Sequence, residues 1–165
     1  MDHLWSPWRY RYLTAEKVEG KSGDAGCVFC RIGSDPADRD EENLVLFRGE
    51  WNFVVLNRFP YTSGHLMVIP YGHSSDLSAI SDEAAAEMMS LARRSERALR
   101  AVYKPGGINI GMNLGECAGA GIAAHIHLHA VPRWHGDANF MSVIGETRVL
   151  PEDLDVSWRR LRAAI

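Results

Sequence analysis

Three histidines, His125, His127 and His129, alternate with Ile126 and Leu128 in the segment His125-Ile126-His127-Leu128-His129-Ala130-Val131. An extended strand turns every second side chain to the same face, so this spacing sets three imidazoles in a row with the two aliphatic side chains buried behind them. Imidazole titrates near neutrality and serves as nucleophile, proton donor or metal ligand. Three such rings on one face point to metal binding or catalysis more than to three partly exposed strand histidines.

Two of the three cysteines are spaced as Cys27-Val28-Phe29-Cys30, and the third, Cys117, stands in a glycine-rich loop. An odd count argues against a secreted disulfide framework. A lone Cys-x-x-Cys is open between a redox pair, half of a zinc site and two core cysteines, and outside ligands decide its meaning. His73 and His125 are candidates for those ligands, and no thioredoxin-like βαβ pattern surrounds the pair to favour redox chemistry. Just before the histidine segment, Gly119-Ala120-Gly121 forms a turn whose backbone N–H groups could converge on an anion.

The elements that must position these residues follow from periodicity and turn chemistry. Residues 44–47 and 51–56 read as strands around the turn Arg48-Gly49-Glu50, and 65–69 as a third strand stopped by Pro70. Ser81 caps a long helix running to about residue 103, with Met88, Leu91, Ser95, Leu99 and Val102 along one face and Arg93, Arg94, Arg97 and Arg100 opposite or beside it. Pro105-Gly106-Gly107 ends the helix, 108–113 and 125–131 give two more strands, and a short helix over about 152–163 follows Pro151. Residues 1–42 read as an irregular segment, because Gly20, Gly23, Gly26, Gly33 and Pro36 break every period before the run Asp40-Glu41-Glu42. Consecutive strands and one long helix, without alternating βαβ units, predict an α+β architecture: an antiparallel sheet of about five strands with helices packed to one side. No repeat or long linker divides the chain, so residues 1–165 read as one domain.

Composition narrows the partners. With 165 residues, 46% of them hydrophobic, the chain can bury a proper core. A formal net charge of −3 gives no global reason to bind nucleic acid polymers or anionic membranes, so any phosphate recognition is local. No apolar run reaches membrane-spanning length, and Met1-Asp2-His3-Leu4-Trp5-Ser6-Pro7-Trp8 lacks the charged start and apolar core of a signal peptide, which predicts a cytoplasmic protein.

The histidine segment resembles, at every position, the signature of the histidine triad (HIT) family of nucleotide hydrolases and transferases. Asn57-Arg58-Phe59-Pro60 with Ser63-Gly64-His65-Leu66-Met67-Val68-Ile69-Pro70 resembles that family's second block. Leu4-Trp5-Ser6-Pro7-Trp8-Arg9, Pro132-Arg133-Trp134 and Gly136-Asp137-Ala138-Asn139-Phe140-Met141 are similar to blocks of its bacterial diadenosine-tetraphosphate phosphorylase branch. The similarity covers about residues 5–149, and only the triad is highly specific by itself.

The resemblance implies a HIT-like fold, a homodimer and a small nucleotide substrate. It implies that His127 attacks an α-phosphate to form a nucleotidyl-histidine, while His129 donates to phosphate or to the leaving group. His125 would then orient its neighbour, and His65 would belong to the hydrogen-bonded layer behind the triad or be a satisfied core histidine. Asn57 stands where relatives hold the ribose, and Asn113 where they aim an amide at phosphate. Phe29, Ile32 and Leu56 match residues that sandwich the base, with plain core as the competing reading. Many members carry a glutamine or serine near the end of the phosphate loop, so donation from Gly119, Ala120 and Gly121 rests on backbone. In zinc-bearing members, the ligands matching Cys27, Cys30, His73 and His125 hold a structural ion, and two thiolates with two imidazoles make a closed tetrahedral set. The implied activity is cleavage of dinucleoside polyphosphates such as diadenosine tetraphosphate. The alternatives are nucleoside phosphoramidate cleavage, a nucleotide-binding module without turnover, and an open three-histidine metal site; the intact triad opposes the module, and the Cys27, Cys30 and His73 set opposes the open metal site.

Overall fold

Runs of aliphatic and β-branched residues build one sheet. Its strands are Val45–Arg48 (β1), Asn52–Leu56 (β2), Leu66–Pro70 (β3), Gly107–Met112 (β4) and Leu128–Arg133 (β5), in the spatial order β1-β2-β3-β5-β4 with every neighbouring pair antiparallel. The structure is a computed structural model and describes residues 26–138 and 152–165. The blocks at 4–9 and 139–141, and Pro151, lie outside the described residues. Among the described residues four α-helices accompany the sheet: Val28–Ser34 (α1), the single turn Asp40–Asn43 (α2), Asp82–Tyr103 (α3) and Leu154–Arg162 (α4). The expected α+β class is the class observed. Among the described residues, no helix is long and apolar enough to cross a membrane.

Strands β2 and β3 are buried along their whole length, which requires cover on both faces of the sheet. Asn52 donates from Nδ2 to the Ala84 carbonyl of α3 at 3.0 Å, whereas its neighbour Phe53 packs against Tyr71 with ring centroids 5.4 Å apart. A Cβ at Gly33 of α1 would stand 3.3 Å from the Phe53 ring and 3.1 Å from Tyr71, so only glycine lets α1 come this close. Adjacent strand residues point to opposite faces, so α3 lies on one face and α1 on the other. The helices are therefore not all on one side. The short helix missed by periodicity covers the face that carries the histidines.

Helix α3 starts as its sequence dictates: the Ser81 hydroxyl accepts from the Ala84 N–H at 3.2 Å, and Met88, Leu91, Ser95 and Leu99 are buried. Helix α4 is tied to the edge strand by Trp158, whose indole N–H donates to the Val45 carbonyl at 2.8 Å. Gly64 takes φ +79, and a Cβ there would meet the Tyr103 ring at 2.6 Å. That close approach to the end of α3 sets the path of the chain into His65 and β3.

Two expectations are corrected. Residues 28–43 are not irregular but hold α1, a 3₁₀ turn at Ala37–Arg39, and α2; Gly33 is kept in α1 by its tertiary contact, and Pro36 falls after the helix ends. The histidine strand starts at Leu128 and not at residue 125. Continuing the β3–β5 register past Val68↔Leu128 would bring residue 126 opposite Pro70, which has no N–H to give. The Ile126 N–H donates instead to the Ser74 carbonyl at 2.7 Å.

Candidate active site and metal centre

The triad occupies the end of β5 where the ladder gives way to this irregular approach. Ile126 and Leu128 are buried as their alternation requires, yet His125 is fully buried and His127 is 5% exposed, so the histidine face also points into the protein. Its three rings serve two different environments.

His125 turns towards the cysteines. Its Nε2 lies 2.9 Å from the Pro70 carbonyl, an acceptor only, so Nε2 carries the hydrogen and Nδ1 keeps its lone pair. Nδ1 faces Cys27 Sγ at 3.3 Å and Cys30 Sγ at 3.5 Å, and His73 Nδ1 lies 3.2 Å from Cys30 Sγ. All four ligand atoms fall within 4.8 Å of one another. A tetrahedral zinc with ordinary Zn–S and Zn–N bonds has S···N edges of about 3.6 Å, so the donor set fits zinc in chemistry and size. A zinc ion held there supplies a four-armed cross-link and, with every position filled by protein, no open site for substrate. Phe29, between the two cysteines in sequence, packs edge-on against the His125 ring at 5.6 Å.

His127 and His129 line a cleft instead, and hydrogen bonds fix their tautomers. His127 Nδ1 lies 2.9 Å from the His125 carbonyl and must donate to it, which leaves an Nε2 lone pair. Behind His129, the Tyr61 N–H donates to His65 Nδ1 at 3.1 Å, so the hydrogen of His65 sits on Nε2. That Nε2 donates to His129 Nδ1 at 2.9 Å, and His129 in turn carries its hydrogen on Nε2. Two rings with centroids 4.8 Å apart thus present one acceptor nitrogen and one donor N–H. Burial pushes the His127 pKa below its ordinary value, against the raising effect of the His125 carbonyl. Burial, aided by the charge of His127, pushes His129 down to about 4. Burial thus favours the neutral form of both rings, the state a nitrogen nucleophile needs.

The cleft joins most of the residues singled out in the sequence. Phe29 and Ile32 from α1, Leu56 from the end of β2 and Asn57 just after it, and Asn113, Gly119 and Gly121 from the loop before the triad all line it with His127 and His129. Phe29 tilts over the His127 ring at 5.1 Å. Asn57 accepts from the Phe59 N–H at 2.9 Å, and its Nδ2 stands 3.4 Å from His65 Nδ1. Asn113 donates to the Gly119 carbonyl at 3.4 Å. Ala120 is buried and does not line the cleft. The Gly119 N–H donates to the Glu116 carbonyl at 2.9 Å and the Ala120 N–H to the Gly115 carbonyl at 3.3 Å, so both amides are engaged within the turn. Of the three, Gly121 is the one whose N–H has no protein acceptor among the described residues.

Sequence reasoning missed Val28, Arg31, Asn43, Val55, Tyr61 and Met67, which also line the cleft. Val28 stands one helical turn from Ile32, a spacing that could have found it. Met67 and Val55 follow from register alone, since Val55↔Met67↔His129 are direct cross-strand neighbours on one face. Asn43 and the Tyr61 backbone left no pattern to read.

Comparison with known proteins agrees with this geometry. Residues 39–136 match the model of the HIT domain. The chain is 40% identical over 152 residues to the AP-4-A phosphorylase of Mycobacterium tuberculosis, a match covering 92% of this chain and 78% of that protein. Among solved structures it is similar to a Zn-bound histidine triad family protein from Mycobacterium smegmatis, at 34% identity and TM-score 0.68, covering 86% of this chain and 94% of the other. A HIT family protein from Bacillus subtilis matches at 30% identity and TM-score 0.58, over 67% and 74% of the two chains. A histidine triad running into the fifth strand of this sheet defines the class, and the chain belongs to the HIT family.

Proposed function

We propose that the protein is a nucleotidyl transferase or hydrolase that cleaves dinucleoside polyphosphates at the α-phosphate through a His127-nucleotide intermediate. The observation that carries this reading is the tautomer pair: an acceptor Nε2 on His127 beside a donor Nε2–H on His129, both at the cleft. The His127 lone pair attacks the α-phosphorus, a P–N bond forms, and the P–O bond to the polyphosphate breaks. The departing phosphate oxygen is a weak base, so a hydrogen bond from His129 suffices to stabilise its charge. Phosphate or water then attacks the same phosphorus, the P–N bond breaks, and His127 regains its lone pair. The likeness to a protein named AP-4-A phosphorylase favours diadenosine tetraphosphate as substrate and phosphate as acceptor.

In this reading Asn57 binds the ribose hydroxyls, Phe29, Ile32 and Leu56 enclose the base, and Asn113 with the Gly121 N–H binds phosphate, with Gly119 and Ala120 shaping that loop. Cys27, Cys30, His73 and His125 hold a structural zinc, favoured by the Zn-bound relative. The whole chain forms one domain in a cytoplasmic homodimer. Support for the dimer comes from β4, an edge strand whose Ile110 is 44% exposed and free to pair across a two-fold axis. Incubation with diadenosine tetraphosphate, with and without inorganic phosphate, tests the activity. ADP and ATP formed only with phosphate support phosphorolysis, AMP and ATP support hydrolysis, and an untouched substrate overturns the reading.

A further inference from the structure

Three polar side chains meet where the cleft reaches Asn43: Arg31 is turned to Asp35, Arg58 to the Glu42 carbonyl, and the third is the Asn43 amide. Asn43 is 5% exposed and lines the cleft beside Leu44, whose carbonyl accepts from the Leu56 N–H at 3.0 Å. Along the row Val45↔Val55↔Met67↔His129, three strand spacings, roughly 14 Å, separate His129 from Val45, two residues after Asn43. A nucleotide with its α-phosphate at His127 therefore brings its base, and not its sugar, to Asn43.

The orientation of this amide is fixed from behind. Asn43 Nδ2 donates to the Asp35 carboxylate at 2.8 Å, and the same carboxylate pairs with Arg31 and Arg39, each 3.5 Å away. Turning the amide over would set its carbonyl oxygen against that carboxylate. Oδ1 makes no hydrogen bond among the described residues, and it is not among the sealed unpartnered atoms, which are Asn52 Oδ1, Ser63 Oγ and Ser95 Oγ. For a residue this buried, the opening left to Oδ1 is the cleft it lines.

We propose that Asn43 Oδ1 accepts from the exocyclic amino group of the base, and that Asp35, by locking the amide, makes the site selective for an amino-bearing base such as adenine. This rests on the nucleotide reading above and adds a specificity determinant to it. An acceptor buried at a binding site rejects a ligand lacking the matching donor, because its own hydrogen bond is then lost.

The test is equilibrium binding, independent of turnover. AMP and purine riboside monophosphate, which lacks only the amino group, are titrated by calorimetry into the full chain. The wild type should bind AMP about tenfold more tightly, the scale of one buried hydrogen bond. In Asn43→Leu the ratio should fall to about one, and in Asp35→Ala it should fall as well, because the freed amide can present either end. Equal binding of the two nucleotides by the wild type overturns the proposal, as does a ratio that survives Asn43→Leu. If neither nucleotide binds, both this proposal and the nucleotide reading fail. If both bind equally, only the role of Asn43 fails.

Discussion

The main-chain carbonyl of His125 accepts from Nδ1 of His127 at 2.9 Å, while the His125 ring faces Cys27 and Cys30. One residue thereby links the thiol cluster, which its ring faces, to the cleft-lining His127, whose tautomer its carbonyl sets.

Metal analysis of protein purified without chelator should find about one zinc per chain. Cys30→Ser should release it and lower the melting temperature by on the order of 10 °C, before residual activity is lost. Metal-free protein of unchanged melting temperature is the contrary result.

His127→Asn and His127→Gly should lower turnover of diadenosine tetraphosphate by about 10⁴-fold or more, the scale of removing a covalent nucleophile. AMP affinity should change little, because Asn57, Phe29 and the glycine loop remain. With α-labelled substrate and a quench that avoids acid, peptide mapping of wild-type protein should place the label on His127. Label on another residue would count against the mechanism.

His65 Nε2 stands 2.9 Å behind His129 Nδ1 and donates to it. His65→Leu should reduce kcat by about 10–100-fold, with AMP affinity nearly unchanged, as losses of orienting groups do. His65→Gln, whose amide can still donate to His129 Nδ1, should recover part of that loss. Equal activity in the two variants would show that bulk, and not the hydrogen bond, is what matters at this position.

Glu87 accepts from the N–H groups of Glu50 and Trp51 and from Asn52 Nδ2, each at 2.8 Å, and so clasps the β1–β2 turn to α3. Burial raises its pKa, but the donors from Asn52 and the turn outweigh burial and hold it below the usual glutamate range. A depressed carboxyl pKa contributes stability that is fully present above the unfolded value, about 4.3, and is lost as pH falls through the lower folded value. Glu87→Gln should cost about 1–2 kcal/mol at neutral pH and show a smaller further loss on acidification than the wild type. Thermal melts from pH 7 to pH 3 check this, and parallel curves would contradict it.

The triad, the strands and α3 were legible because their patterns are local: alternation around Ile126 and Leu128, a cap at Ser81, an apolar stripe from Met88 to Leu99. The Cys27, Cys30, His73 and His125 cluster could be assembled from motif likeness although His73 lies 43 residues from Cys30. Helix α1 was not legible, since seven residues including Gly33 carry no readable period and the helix is sustained by contact with Phe53 and Tyr71. The late start of β5 was hidden for a similar reason, because the missing N–H belongs to Pro70 on another strand. The tautomer of His129 was out of reach altogether, as it is set by the backbone of Tyr61, and no residue type announces what its main chain will do.

The sheet order places β5, the last strand among the described residues, between two that precede it. A nascent chain ending before residue 128 can form the β1-β2-β3 meander, but β4 has nothing to pair with until β5 arrives and bridges contacts as distant as Leu66 to Ala130. Closing so long a loop is slow relative to local hairpins. The histidines are therefore carried on the segment that completes the sheet, and the triad is assembled in the same kinetic event that completes the sheet, which pulse-labelled hydrogen exchange would record as simultaneous protection of β4 and β5.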